Sequence, residues 1–479
     1  MRDDARVKPT ADHAVPPTAS AEVFVIPLTE PDRFLIYAPL RRSAFVGTHA
    51  IVNFIADLNV GKFERSADPD GSLVEFLRGL QIIDAGPEVL PITRFGGDPE
   101  PTVLTLFLTT ACNLRCTYCY ASAGDTPVSF MSLDVAKRGI DFVAGNAVRK
   151  GLASFDINYH GGGEPTVNWA VLTLSHAYAR QVAGVHGLDV QAATATNGIL
   201  TDSQIDWVVT NLRGASISFD GLPDVHDRHR PLLGGRGSSQ RVMHTLRGFD
   251  AAGFSYGLRL TVTADQIPSL AESVEFICAN FSPRRIQVEP AYLLGRWSEA
   301  PSAETDDFLG AFRAARARAH ALGRDITYSA ARLEAVTNHF CGVTQDSFCL
   351  STDGNVTGCY EVFSTDSQFA DKFFYGHPSE KDRGYTFDLP VLNNLRNQAV
   401  QHHGWCQGCF AKWNCAGDCY HKALTVNGDG EFRGSDRCHI TRELTKDQIL
   451  KKIADAGGVF WHESLEALPV VQAADKELL

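Results

Sequence analysis

Three cysteines make the first chemical statement of this sequence. They lie in Cys112-Asn-Leu-Arg-Cys116-Thr-Tyr-Cys119-Tyr120, just after the apolar run Val103-Leu-Thr-Leu-Phe-Leu108. We read this as a strand that ends in a thiol-bearing loop. Thiolates at C-x3-C-x2-C spacing can wrap one face of a cubane iron–sulfur cluster. A [4Fe–4S] cluster then keeps one iron open to an outside ligand, as catalytic metal sites keep a free position. The competing reading is a structural zinc ion. Zinc wants a fourth Cys or His, and none follows within the loop.

Eight further cysteines gather toward the C-terminus: Cys341, Cys349, Cys359, Cys406, Cys409, Cys415, Cys419 and Cys438. The tight group from Cys406 to Cys419 has the look of a zinc ribbon, and His402 and His403 stand nearby. Eight thiolates are also enough for two fully ligated [4Fe–4S] clusters. The remaining cysteine, Cys278, lies in an amphipathic stretch and reads as a small apolar residue.

Other polar groups fall after apolar runs. Gly161-Gly162-Gly163-Glu164-Pro165 offers a backbone that a ligand can approach and an acid that can receive an ammonium. Thr196-Asn197-Gly198 follows the next run. Ser218-Phe219-Asp220-Gly221 follows another, with His226, Asp227 and Arg230 behind it. Arg230 can pair with a carboxylate through two bonds. Taken singly, each is ordinary turn chemistry or a surface ion pair.

The elements that carry these loops alternate. Strands are predicted at Val103–Leu108, Phe155–Tyr159, Val190–Ala195, Ala215–Phe219, Leu258–Val262 and Ile286–Val288. Amphipathic stretches separate them at Leu133–Val148, Val171–Val182, Gln204–Leu212, Arg241–Ala252 and Leu270–Phe281, with Ser132 as N-cap of the first. This is the pattern of βα units and a parallel sheet. Six units are too few to close an eightfold barrel, so an α/β fold with an open, partial (β/α)6 barrel is expected. Its site belongs at the C-terminal strand ends.

The rest of the chain divides around that core. Residues 1–20 read as a disordered polar tail, and 21–92 as three short strands followed by helices, the outline of a small winged-helix-like domain. Residues 93–101 read as a linker, 102–300 as the barrel and 301–335 as a connecting helix. Residues 336–440 form a cysteine-rich module held by metal, and 441–479 a helical tail. The 479 residues, with a net charge of −12, can fill more than one core and lack a basic footprint for nucleic acid. No apolar run is long enough for a membrane span, and no signal core follows Met1, so a reducing cytoplasm is the expected location.

In their order, these motifs resemble the radical S-adenosylmethionine (SAM) superfamily. The resemblance covers residues 102–292 and rests on Cys112-x3-Cys116-x2-Cys119, Gly162-Gly163-Glu164-Pro165, Thr196-Asn197-Gly198, and Ser218-x-Asp220-Gly221 with Arg230. It implies that the open iron binds the amino and carboxylate groups of SAM. Tyr118 would lie beside the adenine. Gly162, Gly163 and Glu164 would hold the methionine ammonium, Ser218 and Arg230 its carboxylate, and Asn197 and Asp220 would complete the cofactor site. Reductive cleavage would then give a 5′-deoxyadenosyl radical that takes hydrogen from a substrate.

The later cysteines resemble the SPASM domain, whose C-x2-C-x5-C-x3-C core is present from Cys406 to Cys419. By that pattern Cys341, Cys349, Cys359 and Cys419 hold one auxiliary [4Fe–4S] cluster. Cys406, Cys409, Cys415 and Cys438 hold the other, which brings the total to three clusters. The N-terminal domain resembles a PqqD-like peptide recognition element. Anaerobic sulfatase maturases carry Asp where this chain has Tyr360, with Glu361 next to it as a candidate base. The segments Phe24–Leu28, Leu35–Leu40 and Leu106–Ser122 resemble HxsB-type maturases of His-Xaa-Ser peptide systems. That implies a ribosomally made precursor peptide, oxidative cross-linking, a reductant such as flavodoxin or ferredoxin, and a second radical SAM protein as partner. Neither nucleic acid nor membrane is an expected partner. The rival outcomes are peptide epimerisation, formylglycine formation, and a non-catalytic iron–sulfur carrier or zinc scaffold.

Overall fold

The computed structural model describes residues 17–62, 64, 68, 70–125, 127–298 and 304–464. Most of the expected N-terminal tail, and the segment 465–479, lie outside the described residues. The chain forms two compact units. One takes residues up to Pro91 and those from Thr445; the other runs from Ile92 to Leu444.

The first unit has the expected start. Strands β1 (Phe24–Pro27), β2 (Phe34–Ala38) and β3 (Ser43–Gly47) form an antiparallel sheet, followed by helices His49–Asn59 and Ser72–Gly79. The tail read as helical then returns a fourth strand, Phe460–His462, which pairs antiparallel with β3. Phe76 packs edge-on against both Phe45 and Phe460, with ring centroids 5.1 and 6.1 Å apart. The unit's apolar core is therefore shared between the two ends of the chain.

In the second unit β4 (Val103–Phe107), β5 (Ser154–His160), β6 (Asp189–Thr196), β7 (Gly214–Ser218), β8 (Tyr256–Val262) and β9 (Arg285–Pro290) run parallel in sequence order. The helices between them fall where the periodicity puts them. Ser132 accepts from the Val135 N–H at 3.3 Å, and Thr201 forms a capping box with Gln204. One helix, Pro223–His229, is additional. A short β10 (Ile326–Thr327) extends the sheet past β9.

The cysteine-rich module is built onto the same sheet. Its β11 (Phe348–Leu350) pairs parallel with β4 and places Cys349 opposite Thr105. From β11 the sheet continues antiparallel through β12 (Val356–Thr357), β13 (Phe374–Pro378) and β14 (Tyr385–Phe387), giving eleven strands in all. These strands are too short to show alternation in the sequence.

Along the barrel strands, Leu104 and Leu106, Ile157 and Tyr159, and Leu258 and Leu260 are buried in the core. The opposite side carries Ala193, Ala195, Gly214, Ser216 and Gly257, which line open space. Closed barrels fill this interior with branched side chains. Small residues at these positions of β6, β7 and β8 help leave this one hollow.

Candidate active site

A cavity of about 350 Å³ opens at the C-terminal strand ends. It brings Cys112, Cys116 and Cys119, from the loop after β4, together with Glu164 and Asn197 after β5 and β6, Ser218 at the end of β7, and Arg230 behind the helix that follows β7. Tyr118, Gly162 and Gly163 also line it.

The cysteine loop is held by its backbone. Arg296 donates to the Cys116 carbonyl at 2.8 Å and the Ala123 carbonyl at 2.6 Å, while its N–H reaches the Cys119 carbonyl at 3.1 Å. The Arg115 and Thr117 N–H groups donate to Pro231 and His229 carbonyls. Burial, followed by the nearby Glu164 charge, pushes the Cys112 thiol up to about 12. Burial likewise raises Cys116. Such thiols keep their protons unless a metal displaces them.

Glu164 is buried and heavily bonded. One oxygen accepts from the Thr166 N–H (3.1 Å), the Thr166 hydroxyl (2.8 Å) and the Thr196 hydroxyl (2.7 Å). The other accepts from the Asn197 N–H at 2.7 Å. The Asn197 side chain donates to Asn113 Oδ1 at 2.7 Å, just behind Cys112. One carboxylate therefore ties the third strand's loop to the second's, beside the cysteines.

The glycines are required by packing. A Cβ on Gly163 would overlap the Ala111 carbonyl, and one on Gly162 would overlap the Phe363 ring. Gly163 N–H donates to Thr109 O and Glu164 N–H to Ala111 O, so two loops lie backbone against backbone. The close approach expected for a ligand is here an approach of the chain to itself.

Tyr118, Asp220 and Arg230 act as a group. The Tyr118 hydroxyl donates to Asp220 and accepts from Arg230 Nη1 at 3.0 Å. Asp220 lies behind Tyr118, outside the cavity lining, and also accepts from the Thr261 N–H at 3.3 Å. Arg230 lines the cavity, and its buried Nε has no partner. His226 and Asp227 are structural. His226 bonds the Ser238 hydroxyl at 2.9 Å, and Asp227 accepts from the Ser238 and Ser239 N–H groups at 2.7 Å.

A model of the radical SAM superfamily matches residues 106–273, the stretch that carries most of this cavity's lining. The chain carries a radical SAM domain. It is 28% identical over 191 residues to the Fe-coproporphyrin III synthase of Methanosarcina barkeri, covering 38% of this chain and 43% of that one. Sporulation killing factor maturation protein SkfB of Bacillus subtilis is 25% identical over 217 residues, covering 43% and 47%. Mycofactocin maturase MftC of Mycobacterium tuberculosis is 30% identical over 172 residues, covering 35% and 38%. The chain spans between 34% and 58% of the length of the curated relatives it matches.

Among solved structures, native anSMEcpe with bound AdoMet superposes with a TM-score of 0.59 at 17% identity, over 74% of this chain and 99% of that one. Streptococcus suis SuiB bound to S-adenosylmethionine gives 0.50 at 12% identity, over 88% and 99%. These likenesses establish an α/β radical SAM fold with a partial barrel.

The C-terminal module supplies another side of the radical SAM cavity: Tyr360, Glu361 and Lys422. Glu361 accepts from His421 Nδ1 at 2.8 Å and Lys422 Nζ at 3.1 Å. Burial works to raise the Glu361 pKa, but Lys422 and His421 outweigh it and hold the carboxyl well below the usual range. A carboxylate held this way is a weak base. Glu289, also in the cavity, is similarly engaged by Ser329 N–H (2.8 Å), Gln287 (3.0 Å) and Arg437 (3.5 Å).

Cys406, Cys409, Cys415 and Cys438 line one pocket of about 260 Å³. Cys341 and Cys359 lie near enough to Cys419 that each thiol bears on the next. Cys349 is buried in β11, its sulfur 3.4 Å from the Ser347 hydroxyl. Among the described residues no three His, Cys, Asp or Glu converge on a single-ion site. The His403 Nε2–H is directed at the Gln398 carbonyl, 3.0 Å away. Cys278 is half-buried against the barrel core.

Sequence reasoning missed His160, Arg259 and Lys422 in the cavity. Alternation could have found two of them. His160 is in phase with the inward side of β5, and Arg259 stands between buried Leu258 and Leu260.

Proposed function

We propose that this protein is a radical SAM enzyme that modifies a ribosomally made precursor peptide, by hydrogen abstraction and oxidative cross-linking. The observation that carries the reading is one cavity shared by the three-cysteine loop and by Tyr360, Glu361 and Lys422 of the C-terminal module. With a cluster on Cys112, Cys116 and Cys119 and SAM on its open iron, reductive cleavage supplies a 5′-deoxyadenosyl radical.

The chain's own residues fit that cofactor. Three thiols on one loop, Cys116 buried and Cys112 and Cys119 half-buried, suit a cluster with an open position. The Arg230 Nε, buried without a partner, suits the methionine carboxylate, with Ser218 beside it in the cavity. Oxygen Oε2 of Glu164 accepts one N–H and has room for an ammonium donor. Asp220 positions Tyr118, and Asn197 braces the cysteine loop.

In this reading Cys341, Cys349, Cys359 and Cys419 hold one auxiliary [4Fe–4S] cluster, and Cys406, Cys409, Cys415 and Cys438 the other. Their roles are electron relay or shaping of the peptide site. Glu361, paired with Lys422, is an anchor in the cavity wall rather than a strong base. The N-terminal unit is the candidate leader-peptide element, flavodoxin or ferredoxin the reductant, and a His-Xaa-Ser system with a second radical SAM protein the setting. A cytoplasmic location follows from that chemistry. Formylglycine formation is the weaker reading, because Tyr360 replaces the acid of that branch and its hydroxyl is 3.3 Å from Thr105 Oγ1.

The test is intact mass. The protein is co-expressed anaerobically with each short open reading frame beside its gene, and again with Cys112, Cys116 and Cys119 changed to Ala. Loss of about two hydrogens per site, absent with the cysteine variant, supports oxidative cross-linking. Unchanged mass with deuterium uptake from heavy water turns the reading to epimerisation. Untouched peptides with SAM still cleaved remove the peptide substrate. Zinc in place of iron, with no 5′-deoxyadenosine formed, leaves a scaffold.

A further inference from the structure

Small residues of β6, β7 and β8 wall part of the barrel interior, and the Arg259 side chain stands beside them. Arg259 lies on the inward side of β8, in phase with Gly257 and Thr261. Its side chain is exposed to the cavity and makes no hydrogen bond or ion pair with any described residue. The acids of the cavity wall already have partners: Glu289 bonds Arg437 and Gln287 and also feels the Arg259 charge, while Glu361 bonds Lys422 and His421.

His160 supplies a second donor. Its Nδ1 accepts from the Gly161 N–H at 2.9 Å. A neutral ring must then carry its proton on Nε2. Burial and the positive charge of Arg259 push its pKa down to about 4, so the ring stays neutral near pH 7.

The surroundings repeat this charge. A second cavity of about 610 Å³ runs from the N-terminal strand ends and meets the first at His160, Ala195, Ser216 and Tyr360. Arg213, Arg284 and Arg285 line it and no Asp or Glu does, with Arg213 paired to Asp156 at 3.6 Å. In a chain of net charge −12, this arginine-lined end of the lumen favours an anion, and the carboxylates of the first cavity, Glu164, Glu289 and Glu361, each already have bonding partners.

We propose that Arg259, with the Nε2–H of His160 near it, binds a carboxylate of the substrate peptide and so fixes which residue is modified. The peptide bears Asp or Glu next to the reacting residue, or presents a free C-terminus there. A guanidinium takes a carboxylate in a bidentate pair, and a neutral imidazole N–H adds a single bond. The inference rests on the peptide reading above.

The test uses the cluster-loaded full chain with SAM under anaerobic conditions. It is offered a pool of randomised ten-residue peptides, half amidated and half with free C-termini, and the captured peptides are sequenced. Wild type is expected to enrich Asp and Glu. R259Q is expected to lose the enrichment, and R259K to keep part of it. H160Q is expected to weaken it less than R259Q. For one captured peptide, R259Q should weaken binding about ten- to hundredfold, as should Asp→Asn in the peptide. The two changes together should cost little more than either alone.

Enrichment confined to free acids assigns the site to the C-terminal carboxylate. Capture without acidic enrichment, or losses that simply add, overturns the inference. So does an R259Q that weakens SAM binding and leaves peptide selection intact. Capture of no peptide while 5′-deoxyadenosine still forms removes the peptide reading, and this inference with it.

Discussion

Arg437 donates to both carboxylate oxygens of Asp418, at 2.7 and 2.8 Å, and both side chains are almost wholly buried. Asp418 precedes Cys419 and Arg437 precedes Cys438, so the pair joins segments that carry cysteines of the two sets proposed above. Tyr292 and Tyr328 face the guanidinium with centroids 4.9 and 5.3 Å away. Either D418N or R437M strands a buried charge and is expected to cost ~3–5 kcal/mol of stability. The double variant should cost less than the sum of the two. Urea unfolding of the four proteins in a double-mutant cycle measures the coupling.

The cysteine loop predicts a separable loss. C112A, C116A and C119A should each abolish 5′-deoxyadenosine formation, and with the three clusters proposed above the iron content should fall by about a third. Iron analysis and Mössbauer spectra of anaerobic protein read this directly. A complete loss of iron would mean that the module from Cys341 to Cys438 does not load by itself.

Two neighbouring glycines should behave differently. G163A drives a Cβ into the Ala111 backbone, which cannot move without dragging the cysteine loop. G162A meets only the Phe363 side chain. Both variants are expected to lose SAM cleavage. Adding F363A should restore cleavage to G162A and leave G163A inactive.

His176 predicts an acid-sensitive step in stability. It is buried against Trp207, and neither ring nitrogen has a partner. Burial, followed by the Arg180 charge, lowers its pKa from 6.5 to about 4. The unfolded chain thus takes up a proton below pH 6.5 that the folded chain refuses until about pH 4. Its contribution is intact above pH 6.5 and declines as the pH falls across that window. The melting temperature of H176L should show a weaker pH dependence there than that of wild type.

The barrel was legible because alternation and helical period repeat over long segments. The strand Leu258–Val262 and the helix Leu270–Asn280 could hardly be read otherwise. Strands β11 to β14 were not legible, since two to five residues hold no period and their pairing with β4 is a long-range fact. The cysteines announced themselves by spacing. The bonds that fix Glu361 to Lys422, or Tyr118 to Asp220, did not, because partners 61 and 102 positions apart leave no local pattern. Gly162 and Gly163 line the cavity, and no local pattern showed that they also leave room for Phe363 and Ala111.

The strand Phe460–His462 sets an order of events during synthesis. Domains fold as they leave the ribosome, earlier segments first. The first unit's strands and helices emerge first, yet its sheet and core lack Phe460 until the whole second unit has been made. Until then β3 presents an unpaired edge of the kind that invites pairing with other chains. The part of the chain born first is thus completed last, after every cysteine has already emerged.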